Sequence, residues 1–273
     1  MISSRYRRVG AAVILSLAWG FAGNALASKQ ETGITTHKAQ TTQSKLLTKN
    51  NKEYSRNSES GPLPDLRKYP SGTARKKAFI RTVMPSINRQ NAAITADRNW
   101  LVQKRYDGRW SPSEKARLKA LASRYKVSWS GNTRSLPWNT LLERVDIIPS
   151  SMVVTMAAVE SGWGTSKLAR ANTNLFGMKC SSRSCNRSAG KIGGYQHFDS
   201  VKESVTAYVN NLNTHPAYKS FRQSRAQLRK SDTELTASNM IHKLKGYSTR
   251  GKSYNNYLFS LYQSNQHLLT ASN

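Results

Sequence analysis

The sequence predicts a mainly helical protein of α+β class, with a small hairpin lobe in its C-terminal half and extra helices ahead of it. Three observations point there. From Thr73 onward apolar residues recur at three- and four-residue steps, the spacing of a helix face. Helix start and stop residues punctuate those stretches. One segment, Gly190 to Phe198, places Ile192, Tyr195 and Phe198 as a short strand pair would.

Taken in order, the chain starts with a charged and then an apolar segment. Arg5, Arg7 and Arg8 precede the apolar run Val9 to Ala22, and Ala25-Leu26-Ala27 reads as a small-x-small cleavage site. That is the three-part layout of a secretory signal peptide, and the run is short for a membrane span. Residues 1–27 are expected to be removed and the rest exported to the periplasm; an uncleaved anchor would leave the chain on the same side. Residues 28–72 read as a disordered basic linker. Lys, Thr, Ser, Asn and Gln dominate it to about Gly61, too polar to offset the entropy of ordering, and Pro62, Pro64 and Pro70 stiffen its end.

A helical N-terminal region is expected over 73–147. Phe79, Ile80, Val83, Met84 and Ile87 share a face, continued by Ile94, Trp100 and Leu101, with Pro85 kinking or dividing the helix. Ser111-Pro112-Ser113-Glu114 is a good helix start, and Leu141, Leu142, Val145 and Ile148 mark a further short helix. The segment 148–273 reads as a second domain. A helix capped by Ser150 or Ser151 runs through Val153, Met156 and Glu160 to Gly162, a C-terminal glycine. Thr165 or Ser166 starts the next helix, Asn174 to Gly177 turn, Ser200 to Glu203 has the form of a capping box, and helices follow near Thr233–Leu244 and Ser253–Gln266.

Composition limits the partners. Lys and Arg total 43 against 14 Asp and Glu, a net charge of +29, which favours a polyanion. Nucleic acid, an anionic membrane surface and an acidic cell wall all fit that charge; export argues against nucleic acid. Cys180 and Cys185, close together in an oxidising compartment, read as a disulfide rather than a metal site. The five His show no ligand spacing, so no metal and no cofactor are expected. The protein is read as a monomer.

Glu160 is the leading candidate for chemistry. It ends the apolar helix that begins near Met152. The negative end of the helix dipole, burial and shielding by Trp163 would each favour its protonated form. A carboxylic acid held neutral is what general-acid cleavage of a glycosidic bond requires. On position alone, a solvated glutamate at a helix end is the simpler reading.

The neighbouring residues change that balance. Ala158-Val159-Glu160-Ser161-Gly162-Trp163-Gly164, followed by Asn174-Leu175-Phe176-Gly177, resembles the signature of bacterial β-N-acetylglucosaminidases of the glycoside hydrolase 73 type, in the lysozyme-like superfamily. Tyr195 to Ser200, Tyr208 to Leu212, Pro216 to Tyr218, and Gly246 to Thr249 with Tyr254 and Tyr257 continue the match, which spans about Ile148 to Leu269. The resemblance implies a lysozyme-like helical domain acting on peptidoglycan glycan strands, with Glu160 as catalytic acid. It implies that Asn174 and Phe176 line the glycan cleft and that Tyr247 faces the cleaved bond, supported by Tyr254. Trp163 gains a substrate-binding role in the same way.

One departure bears on mechanism. Family members often place a second acid after the Asn-Leu-Phe-Gly turn, yet no Asp or Glu occurs between Ser161 and Phe198. Asp199 reads as a helix-cap residue. Attack by the substrate's own 2-acetamido group, which needs no second protein carboxylate, is one way to work with a single acid; a lytic transglycosylase is another, and a glycan-binding module without activity is the alternative from a different class. Phe198, Tyr208 and Leu212 are assigned to packing. The basic excess reads either as a solvated surface or as attraction toward an anionic wall, to which the linker and Arg222, Arg225, Arg229 and Lys230 would contribute.

Overall fold

Residues 61–180 and 190–270 are described in the computed structural model; the signal segment, most of the linker and Cys185 lie outside them. The longest element is α1 (Thr73–Lys104), about 48 Å at the α-helical rise. It does not divide at Pro85. Val83, Met84, Ser86 and Ile87 are buried on either side, so packing offsets the hydrogen bond that proline removes.

Two short helices follow. α2 (Pro112–Arg124) starts with a full capping box, in which the Ser111 hydroxyl accepts from the Glu114 N–H and the Glu114 carboxylate accepts from the Ser111 N–H. α3 (Trp138–Arg144) leads to α4 (Ser150–Ser161). Every residue of α4 from Met152 to Ala158 is buried, apolar on all sides as a helix at the centre of a core must be. Then come α5 (Lys167–Asn172), α6 (Val201–Thr214), α7 (Lys219–Lys230), α8 (Ala237–Met240) and α9 (Lys252–Thr270). α1 and α9 pack on α4, and α6 packs on α1. The expected hairpin is a single antiparallel bridge between Lys179 and Tyr195.

Three expectations change. The linker ends before residue 72. Leu63 and Leu66 are buried in the core, Asp65 caps a 3-10 turn at Leu66–Lys68, and the Val201 N–H donates to the Gly61 carbonyl. Two leucines three residues apart, seated beside Phe79, are enough to anchor a segment that composition alone reads as unstructured. Gly164 makes room for them. It has φ +78, and a Cβ there would lie 2.8 Å from Leu66 Cδ1 and 3.1 Å from Phe79 Cδ2. Second, regions 73–147 and 148–273 share one core, in which Phe79, Leu118 and Val145 cluster with Met156, Val205 and Leu258.

Third, α7 carries two of its three arginines inward. Arg225 is fully buried and Arg222 nearly so. Arg225 donates to the carbonyls of Glu143, Asp146 and Ile147 and to Asn213 Oδ1. Arg222 donates to the carbonyls of Leu212 and His215. These carbonyls lie at or just past the ends of α3 and α6, where the helix itself provides no donors. The five-donor guanidinium satisfies them. Arg229 pairs with the buried Asp146 at 2.9 Å. Arg222 and Arg225 therefore hold the fold together and are withdrawn from any wall-facing patch; Arg229 is exposed but tied to Asp146, and Lys230 stays exposed.

Candidate active site

The chain around Glu160 is shaped by short-range bonds. Gly162 ends α4 in the left-handed conformation. The buried Ser161 hydroxyl accepts from the Gly164 N–H at 2.9 Å, and the Ser166 N–H returns to the Ser161 carbonyl. The tight loop leaves Glu160 half-buried at the helix end, on the wall of a groove of about 500 Å³. Phe176, Gly177 and Met178 form one side; Tyr208 and Tyr218, Tyr247 and Tyr254 form much of the rest. Glu160 is the one acid among the lining residues, and Lys179 and Arg250 are the cations. None of the lining residues comes from α1, α2 or α3.

The Tyr254 hydroxyl donates to Glu160 Oε1 at 2.6 Å. Tyr247 stacks on Tyr254 with ring centroids 5.4 Å apart. The Tyr208 hydroxyl proton is shared between Met156 Sδ and the Tyr247 hydroxyl oxygen, at 2.9 and 3.3 Å. Burial, and then neighbouring charge, pushes both groove tyrosines, Tyr247 and Tyr254, well above the ordinary phenol range. Both stay protonated donors at any working pH. Burial likewise raises Tyr218. Among the described residues no cluster of His, Cys, Asp or Glu is arranged to hold a metal.

The sequence-predicted residues divide. Phe176 reaches the groove, stacked on Tyr208 at 3.8 Å with the planes 2° apart. Tyr254, read as a supporting residue, makes the direct contact with Glu160, and Tyr247 stands one ring behind it. Asn174 does not face the groove. It is buried, its amide donates to the carbonyls of Met178 and Gln196, and its oxygen accepts from the Met178 N–H. It shapes the turn that presents Phe176. Trp163 is also absent from the lining and so neither shields Glu160 nor offers a sugar platform there. Its backbone is left-handed, its ring meets Phe79 edge-on at 5.6 Å, and Lys76 lies over it. Asp199 is exposed and pairs with His197, while Ser200 caps α6. Cys180 is disulfide-bonded; Cys185 lies outside the described residues.

Tyr218 and Asn211 line the groove without having been singled out for it. The Pro-x-Tyr and Tyr-Val-x-x-Leu motifs contained them, but neither motif shows which way a ring or amide points.

One carboxylate set among tyrosines in an open groove suits glycosidase chemistry, and the glucosaminidase domain at residues 137–267 marks the chain as a glycosidase-type enzyme. Residues 137–267 match the glucosaminidase family model, described as mannosyl-glycoprotein endo-beta-N-acetylglucosaminidase, and the chain as a whole belongs to the family of its full-length relative. It is 65% identical over 272 residues, 99% of each chain, to the protein described as "Protein bax" of Escherichia coli (strain K12). The solved catalytic domain of the autolysin Auto from Listeria monocytogenes is similar over 75% of this chain and 92% of that one, with TM-score 0.40 and 18% identity.

Proposed function

We propose that this protein is an exported peptidoglycan hydrolase that cleaves β-1,4 bonds at N-acetylglucosamine, with Glu160 as the general acid. The observation that carries the reading is that Glu160 is the one acid of its groove and is held in place by the Tyr254 hydroxyl. Lys179 and Arg250 on the lining suit a glycan that bears carboxylates, as peptidoglycan does. The signal-peptide layout of residues 1–27 supports release into the periplasm.

In this reading Glu160 gives its proton to the glycosidic oxygen as the bond from that oxygen to the anomeric carbon breaks. No acid occurs between Ser161 and Phe198, and among the described residues no second acid lines the groove. The substrate's 2-acetamido oxygen therefore takes the nucleophile's place and closes on the anomeric carbon. In this reading Tyr247, which lines the same groove, hydrogen-bonds that acetamido group. Water then opens the ring intermediate and returns a proton to Glu160.

A zymogram of the parent and Glu160→Gln on purified peptidoglycan tests the reading. Clearing by the parent alone supports it; equal clearing by both removes Glu160 from the chemistry. The anomeric configuration of fresh product then tests the route, since net inversion excludes acetamido participation. The same single-acid groove suits a lytic transglycosylase. Mass spectrometry separates the two, because anhydro products lack one water. Export is checked by N-terminal sequencing of the secreted form, expected to start at Ser28.

A further inference from the structure

A second groove, of about 310 Å³, opens where α1 ends; Arg105, Tyr106, Trp110, Arg134 and Trp138 are among its lining residues. It shares no lining residue with the Glu160 groove. All of these residues but Trp138 precede the family match at 137–267, so nothing in that match accounts for them.

Of the aromatic rings here Tyr106 is exposed, whereas Trp110 and Trp138 are half-buried and oriented by packing, with Lys104 over the Trp110 ring at 5.5 Å. Tyr106 is 82% exposed, the most exposed large hydrophobic side chain among the described residues. Trp110 and Trp138 lie 6.1 Å apart with planes at 37°. Each indole N–H is tied to its own loop: Trp110 donates to the Asp107 carbonyl and Trp138 to the Thr133 carbonyl. The ordering cost of these two rings is therefore met on folding and not on binding. The uncommitted charge is positive. Arg105 is already engaged, lying over the Tyr106 ring at 5.5 Å and donating to Asn139 Oδ1 at 3.0 Å. Arg134 is exposed, with no partner for its guanidinium among the described residues. Asp107, which also lines the groove, is spent: Oδ2 accepts from Lys104 and Oδ1 from the Arg109 N–H.

We propose that this groove is an accessory binding site for an anionic glycan, with sugar faces on the Tyr106, Trp110 and Trp138 rings and a substrate carboxylate on Arg134. The stacking surface calls for a flat ligand with an apolar face, and the free guanidinium calls for a planar anion. The choice of glycan over a stacked nucleic acid rests on the proposed wall substrate. The site would hold the enzyme on the polymer between cuts.

Co-sedimentation of the full chain carrying Glu160→Gln with purified peptidoglycan, at ~0.15 M salt where diffuse attraction is screened beyond about 8 Å, reads binding without cleavage. Tyr106→Ala, which leaves net charge unchanged, and Arg134→Ala should each weaken binding about tenfold. Arg81→Ala, which removes an exposed arginine of α1 outside the groove, should not. Parental binding by both groove variants overturns the proposal. Equal weakening by Arg134→Ala and Arg81→Ala, with Tyr106→Ala unchanged, means diffuse charge only and overturns it too. Groove-dependent binding that prefers oligothymidylate or phosphatidylglycerol vesicles to wall fragments overturns the ligand class. Groove-dependent wall binding by a chain whose parent form fails to cleave keeps this site and removes only the catalytic reading.

Discussion

Tyr254 and Glu160, 94 residues apart in sequence, meet through one hydrogen bond of 2.6 Å from the phenol to Oε1. The bond fixes the carboxylate's rotamer and leaves Oε2 on the side of Gly177, 3.8 Å from where a Cβ at that position would stand. The tyrosine comes from the first turn of α9, so the approach of α9 to α4 sets the acid's orientation.

Tyr254→Phe keeps the ring and removes only the donor. We expect kcat on peptidoglycan to fall about 10–100-fold with KM little changed, against a loss of about 10²–10⁴ for Glu160→Gln, the usual contribution of a general acid. Steady-state kinetics of both variants check this. An unchanged kcat for Tyr254→Phe would mean the bond does not orient the acid.

Asn174 and Trp163 are expected to act through structure. Asn174→Ala strips the turn of its internal amide bonds and should cost about 1–3 kcal/mol of stability, the penalty of leaving buried backbone groups unpaired. Trp163→Phe should lower Tm while leaving KM for glycan unchanged, because Trp163 does not line the Glu160 groove. Denaturant melts paired with KM values decide; a raised KM for Trp163→Phe at unchanged stability would restore its sugar-binding role.

Asp146 gives the fold an acid limit. Burial pushes its carboxyl up, but the surrounding charges of Arg225, Arg98 and Arg229 outweigh that and hold it below the usual carboxylate range. A carboxyl depressed by folding contributes stability above its unfolded pKa and loses it as pH falls through the lower folded value. The parent should therefore lose stability below about pH 4. Asp146→Asn leaves the guanidiniums without their counter-charge and should cost about 3–5 kcal/mol at pH 7, with a shallower acid decline than the parent. Urea denaturation at pH 7 and pH 3 measures both effects.

Gly164→Ala combines a left-handed backbone with a Cβ at 2.8 Å from Leu66 Cδ1. We expect about 2–4 kcal/mol of destabilisation, from backbone strain and overpacking together. A companion Leu66→Ala change relieves the clash and should recover part of the loss relative to the two single changes. Simple additivity of the two would show that Leu66 had already moved aside.

Much of the local architecture was legible. The capping of α2, the glycine that ends α4 and the Ser200 cap of α6 depend on bonds that close within a few residues, so a contiguous stretch spells them out. The Glu160 loop belongs with these, since Gly164 and Ser166 donate to Ser161, and Thr165 donates to the Gly162 carbonyl. α7 was missed because its arginines read as solvated charge. Their burial depends on carbonyls at the ends of α3 and α6, which adjacency along the chain does not reveal. The linker boundary slipped for a similar reason: Leu63 and Leu66 matter only because Gly164 leaves a space for them.

From its residues alone this chain determined that it would be helical, strongly basic and organised around an acid at the end of an apolar helix, because periodicity, caps and charge are local properties. Packing decided the rest. It turned Tyr254 toward Glu160, sent Asn174 and Trp163 inward, and buried cations that composition counts as surface. A side chain's direction is fixed by which helix faces which, and that follows from burying the apolar faces together while giving buried carbonyls such as those of Glu143 and Leu212 a donor.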